Sequence, residues 1–137
     1  MSRFADTPPD RFLEDFYASF HEEALSCDAD GGDVGAVVDR YFSPGFVQIS
    51  DGIVIDREKL IAHLRPVRKM VESGHYEVLE ALADGDRLAA RMVIRAVTRK
   101  GRKIDTEVHL FGTVDDQGRF RRLDQITRTL GDAQGSP

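Results

Sequence analysis

From Phe12 onward the apolar residues recur at helical spacing, and Phe12, Leu13, Phe16, Tyr17 and Phe20 form one broad aromatic face. Thr7-Pro8-Pro9-Asp10 predicts the start of this helix. Thr7 is placed to cap, Pro8 takes the first helical position and Asp10 sits near the positive end of the dipole. The helix is expected to run to about Ser26, and Cys27-Asp28-Ala29-Asp30-Gly31-Gly32 reads as a loop. Asp33 then caps a second helix over 34–42, with Val34, Val37, Val38, Tyr41 and Phe42 inward, and Pro44-Gly45 ends it. A short strand over 46–50 turns at Asp51-Gly52 and returns through Ile53-Val54-Ile55. Asp56 caps a third helix over 57–73, striped by Leu60, Ile61, Leu64, Val67, Met70 and Val71, which Pro66 is expected to kink or divide.

From Tyr76 the period changes to two. Four strands are predicted, over 76–82, 87–99, 103–114 and about 119–130, in an antiparallel meander. Their corners are Asp84-Gly85 (a type I′ signal), Gly101-Arg102 (a type II′ signal) and the loop Asp115-Asp116-Gln117-Gly118. Corners at Gly101-Arg102 set Val93 opposite Leu110 and Arg95 opposite Val108, with Met92, Ile94, His109 and Phe111 on the other face. A slip of one residue instead opposes Arg95 to Glu107 and gathers Met92, Ile94, Val108 and Leu110 together. Register decides every facing in a sheet, and both registers stay open at this point. The small, polar tail over 131–137 is expected to fray.

The chain has 137 residues, 41% hydrophobic and 31% charged. That suits one domain over the whole length, with an ordered core of about 7–130. The N-terminus lacks the apolar segment of a signal peptide and no apolar run approaches a membrane span, so no membrane partner is expected. Cys27 is the sole cysteine, which excludes an intrachain disulfide and suits a reducing cytoplasm. No Cys/His spacing suits zinc, and no phosphate loop or serine or cysteine nucleophile motif is present; neither metal nor cofactor is expected. The net charge of −5 divides into about +5 over residues 86–130 and −10 elsewhere. The basic residues alternate with Val, Ile and Leu or gather at hairpin ends. They therefore read as solvated strand edges paired with acidic helices, not as a nucleic-acid surface.

The element order, together with YFSPGFVQISDG, IDREKLIAHL and the KGRK hairpin, resembles the nuclear transport factor 2-like superfamily, and within it the SnoaL-like branch. The resemblance covers nearly all of residues 9–130. It implies an α+β, cystatin-like fold: a cone-shaped, curved antiparallel sheet wrapped around three N-terminal helices, with a pocket at the open end. It also implies a homodimer through the outer sheet face, where Met92, Ile94 and Phe111 are the expected apolar contacts. Relatives include steroid isomerases, polyketide cyclases and epoxide hydrolases. Tyr17 matches the first-helix tyrosine of the isomerases. Their general-base position falls on Ser50, with Asp51 one residue later, and their second acid falls on Leu110. The cyclase acid falls on Gln125.

Two function classes follow. One is a binding protein for a small hydrophobic ligand, neutral or anionic, held by Tyr17, Gln48, His63, Arg91 and Gln125. The other is a cofactor-free acid/base enzyme (isomerase, cyclase or hydrolase-like) with Asp51 and His63 as the titrating groups. Asp51 is equally explained by its hairpin; inside an apolar cone its pKa would rise toward neutrality. His63 lies beside the Leu60/Leu64 stripe, as pocket lining or as a boundary residue. Gln48 and Ser50 share one side of their strand, as do Gln125 and Thr127, forming either a ligand-orienting set or a network satisfied within itself. The resemblance places Arg91 and Arg95 inside the cone, where a buried guanidinium needs a partner, either Glu80 or an anionic ligand.

Overall fold

The computed structural model describes residues 7–26 and 34–132; Cys27 and the expected cap Asp33 lie outside the described residues, as does most of the tail. Three helices and six strands follow in the order α1 (Pro9–Leu25), α2 (Val34–Tyr41), β1 (Phe42–Ser50), β2 (Ile53–Ile55), α3 (Arg57–Met70), β3 (Val71–Asp84), β4 (Arg87–Thr98), β5 (Lys103–Val114) and β6 (Phe120–Asp132). One curved, unclosed sheet holds all the strands in the spatial order β2-β1-β6-β5-β4-β3. Every pairing is antiparallel except that of β1 with β6, which is parallel and makes the sheet mixed.

Helix α1 buries Leu13, Phe16, Phe20 and Ala24, a stripe at spacings of three and four that lies inside the sheet. Its cap position is Pro8, without a side-chain cap bond, so Thr7 does not cap and Pro9 takes the first turn. Asp56 does cap α3, accepting from the Lys59 N–H at 2.9 Å. Helix α3 continues through Pro66 in one piece and stops at Met70. Val71 opens β3, so the strand begins five residues before Tyr76 and takes residues 71–73, which the apolar spacing gives to the helix. Pro44-Gly45 do not follow a longer α2. Gly45, at φ 71°, sits where the β1–β6 register shifts between Phe42 and Val47, a bulge that needs its positive φ.

The β4–β5 hairpin decides what faces the helices. Thr98 N–H donates to Arg102 O and Gly101 N–H to Thr98 O, both at 2.8 Å, so residues 99–101 form a three-residue loop with Gly101 at φ 84°. Arg91 therefore lies opposite His109, Met92 opposite Val108 and Arg95 opposite Asp105. This matches neither expected pairing. The facing is the one the slipped register gives: Met92, Val108 and Leu110 are buried together, with Ile94 packed against them. Met92 and Ile94 are thus core residues and not outer-face contacts. At the preceding corner only Gly85 has positive φ, the pattern of a II′ turn instead of the expected I′.

The core between helices and sheet holds Phe16, Phe20, Phe42, Leu88, Met92, Leu110, Phe120 and Leu123. Gly112 is required there, because a Cβ would fall 2.5 Å from Cε1 of the fully buried Phe120. Outside, Leu82, Phe111 and Ile126 are 77%, 72% and 68% exposed. Among the described residues no helix is long and apolar enough to cross a membrane.

Candidate functional site

A cavity of about 100 Å³ lies between the helices and the inner sheet face, walled by Tyr17, Phe20, Leu60, Met92, Ile94 and Val108. Its polar side is built by the parallel β1–β6 pairing, which sets Ser50 beside Gln125 and Gln48 beside Leu123. Gln48 and Ser50 are two residues apart on one strand, so both point the same way. Gln125 Nε2 donates to Ser50 Oγ at 2.7 Å and Gln48 Nε2 to the same oxygen at 3.2 Å. One hydroxyl therefore joins two side-chain amides and retains its own O–H for donation. Leu110 lies opposite Gln125 on the next strand. The three positions where the resemblance expected acids, Ser50, Leu110 and Gln125, thus form one row across the sheet, and none carries a carboxyl group.

The opposite wall is aromatic. Tyr17 stacks on Tyr76 with ring centroids 5.5 Å apart, and Tyr76 Oη bonds His21 Nδ1 at 2.7 Å. Burial pushes the pKa of both phenols well above the ordinary value, so Tyr17 meets the cavity as a neutral hydroxyl. Burial lowers the His21 pKa, and His21 Nε2 is enclosed without a hydrogen-bond partner. A Cβ on Gly74 would lie 3.1 Å from its ring, so the glycine is what lets β3 close over the imidazole. Sequence reasoning missed His21 and Tyr76. The available signal was the four-residue step from Tyr17 to His21, which puts both rings on one helical face.

Of the residues expected to bind ligand, Tyr17, Gln48 and Gln125 line this cavity. Asp51, His63 and Arg91 are not among its lining residues. Asp51 is the first corner of the β1–β2 hairpin at φ 51°, and its carboxylate accepts from Thr127 N–H at 2.8 Å and Thr127 Oγ1 at 2.6 Å. Those bonds hold its pKa below the usual carboxylate range, where an apolar cone would have raised it. His63 stands exposed on α3. Arg91 points out of the cone, bonded to Glu80 at 3.1 Å with Glu107 at 3.8 Å. Arg95 is likewise outside, between Glu77 and Asp105. The reason is energetic: the alternation in β4 offers Leu88, Met92 and Ile94 to the core, and burying two guanidinium groups in their place would cost several kcal/mol each.

A wider hollow of about 590 Å³ lies on the outer face, lined by Ile49, Leu82, Ala89, Phe111 and Ile126, with Arg91 and His109 at its side. It is the larger space, but it lies on the exposed face of the sheet, whereas the cone cavity converges polar groups within apolar walls. Among the described residues no group of three or more His, Cys, Asp or Glu could hold a metal ion.

Three helices in a curved sheet, enclosing a cavity between them, define a nuclear transport factor 2-like protein. The SnoaL-like domain family matches residues 12–123, and the chain belongs to that family. No curated protein matches the sequence. An LEH-like epoxide hydrolase of M. tuberculosis is similar in structure, with 17% identity, TM-score 0.63 and coverage of 87% of this chain and 81% of that one. A proposed isomerase from Rhodopseudomonas palustris has 14% identity and TM-score 0.64 over 88% and 92% of the two chains. A proposed SnoaL-like polyketide cyclase from Jannaschia sp. CCS1 has 16% identity and TM-score 0.53 over 89% and 90%. At these identities the likeness carries the fold alone.

Proposed function

We propose that the chain binds a small, mostly apolar, uncharged molecule in the cone cavity and does not turn it over. The observation that carries this reading is the Gln48–Ser50–Gln125 cluster, which offers hydrogen bonds where the resemblance expected acids. A space of about 100 Å³, smaller than the engineered apolar cavity of about 150 Å³ that holds benzene, limits the ligand to a single small ring. The anionic end expected of the ligand relied on Arg91, which lies on the other face with acidic partners. Thermal denaturation with benzene or cyclopentanone tests the reading. Either ring raises the melting temperature of the parent protein and has no effect on Ile94→Phe, which fills the cavity. Equal shifts in both proteins would place binding elsewhere.

Acid/base catalysis is the alternative that the cyclase, isomerase and hydrolase relatives keep in view. Tyr17 favours it as a neutral donor to a developing oxyanion. The cavity lining supplies no carboxylate or imidazole to remove a proton, so a base would have to come from the bound molecule or from water.

The same reading includes a homodimer through the outer face, supported by exposed Leu82, Phe111 and Ile126, which stand on β3, β5 and β6 around one hollow. Phe111→Asp gives a monomer in light scattering at tens of micromolar, while the parent scatters as a dimer. A monomeric parent refutes the interface. A cytoplasmic setting, which the lone Cys27 suits, completes the proposal.

A further inference from the structure

We infer that the cone's ligand carries a hydrogen-bond donor and an acceptor on adjacent atoms, as a lactam or carboxamide does. This rests on the cavity being the binding site, as proposed above. Ser50 Oγ already receives one N–H from Gln125 and one from Gln48. Each amide keeps a second N–H and a carbonyl oxygen, and neither oxygen bonds any group among the described residues. Yet among those residues only His21 Nε2 is enclosed without a partner. Their unbonded oxygens are therefore not sealed in protein, and both residues line the cavity, toward which the inward-facing Gln48 and Gln125 positions direct their side chains.

The polar side therefore presents acceptors and donors together: two carbonyl oxygens, the remaining amide N–H groups and the Ser50 hydroxyl. An ether or ketone would use only the donors and leave the amide oxygens unpaired in a confined space. A carboxylate would meet those oxygens with no cation among the lining residues. A lactam edge pairs with both kinds of group, and its aliphatic ring fits against Met92, Ile94 and Val108. One additional net hydrogen bond is worth about three- to tenfold in affinity.

The test titrates isotopically labelled protein with 2-pyrrolidinone, cyclopentanone and benzene, rings of equal heavy-atom count, by amide-detected NMR. The lactam binds about three- to tenfold more tightly than the ketone and moves the side-chain NH₂ signals of Gln48 and Gln125. Gln125→Leu removes that preference while benzene still binds, which also shows that the site is folded; Gln48→Met gives the same readout should the first variant not fold. Equal affinities of lactam and ketone, with cavity signals moving, overturn the inference and leave the cavity reading standing. No response of cavity signals to any of the three rings overturns both, and a lactam that moves Phe111 or Ile126 instead overturns both as well.

Discussion

Replacing Phe16 by alanine removes the ring around which the two layers are packed. Phe16 is 6% exposed. Its centroid lies 4.9 Å from Phe120, 5.2 Å from Tyr41 and 5.9 Å from Phe42, all edge-to-face, so one side chain of α1 touches α2, β1 and β6. Truncating a buried phenylalanine costs about 3–5 kcal/mol. Each edge-to-face pair adds about 0.5–1.5 kcal/mol beyond area, which puts Phe16→Ala in the upper half of that range, at about 4–5 kcal/mol. For a chain of this length the melting temperature falls by about 15–20 °C. Phe16→Leu keeps most of the apolar volume and loses the ring geometry, so about 1–2 kcal/mol is expected. Urea denaturation is the assay: the midpoint should fall while the slope stays constant, because the same surface is exposed on unfolding. A loss below about 1 kcal/mol for Phe16→Ala would mean that α1 does not fill the cone.

Three further outcomes follow from particular contacts. Gly112→Ala drives a methyl group into the Phe120 ring, which is fully buried, and should cost about 1–3 kcal/mol in the same assay; a change under about 0.5 kcal/mol would show that the ring moves aside freely. His21, with its pKa lowered by burial, binds protons less readily folded than unfolded. Stability is therefore lost as pH falls through the unfolded value of about 6.5 toward the depressed folded one. His21→Gln should shrink the loss measured between about pH 7.5 and 5.5, and an unchanged loss would exonerate this histidine. Arg91→Met should leave cyclopentanone affinity within about twofold, since the guanidinium lies outside the cone; a tenfold weakening would return Arg91 to the site.

Much of the fold was legible because local chemistry marks its corners. Asp51-Gly52 turns with both residues at positive φ, and Asp56 caps α3. The β4–β5 register was not legible, because Gly101 serves equally as the first corner of a two-residue turn or the last residue of a three-residue loop, and here it is the latter. That choice turned the facing of Met92, Ile94 and Arg91 together, while His109 and Phe111 kept the outer face expected of them. The alternation of arginines with Leu88, Met92 and Ile94 held the missing information, since buried guanidinium groups are costly. Tyr17 and Gln125 followed from the family resemblance, and the shared side of Gln48 and Ser50 from strand periodicity. The Gln48–Ser50–Gln125 connection was not legible, because it depends on the parallel pairing of β1 with β6, which joins residues 75 apart in sequence. The Tyr76–His21 bond joins a strand to a helix 55 residues away; the Tyr17–His21 step marks the helix face, but nothing local marks the strand partner.

Whether the cone or the outer hollow receives the ligand is read from a crystal soaked with cyclopentanone. The ring should appear against Tyr17, Met92 and Val108, with its carbonyl oxygen directed at the Gln48–Ser50–Gln125 cluster. Density for the ring beside Phe111 and Ile126 on the outer face, with an unaltered cone, would contradict the account.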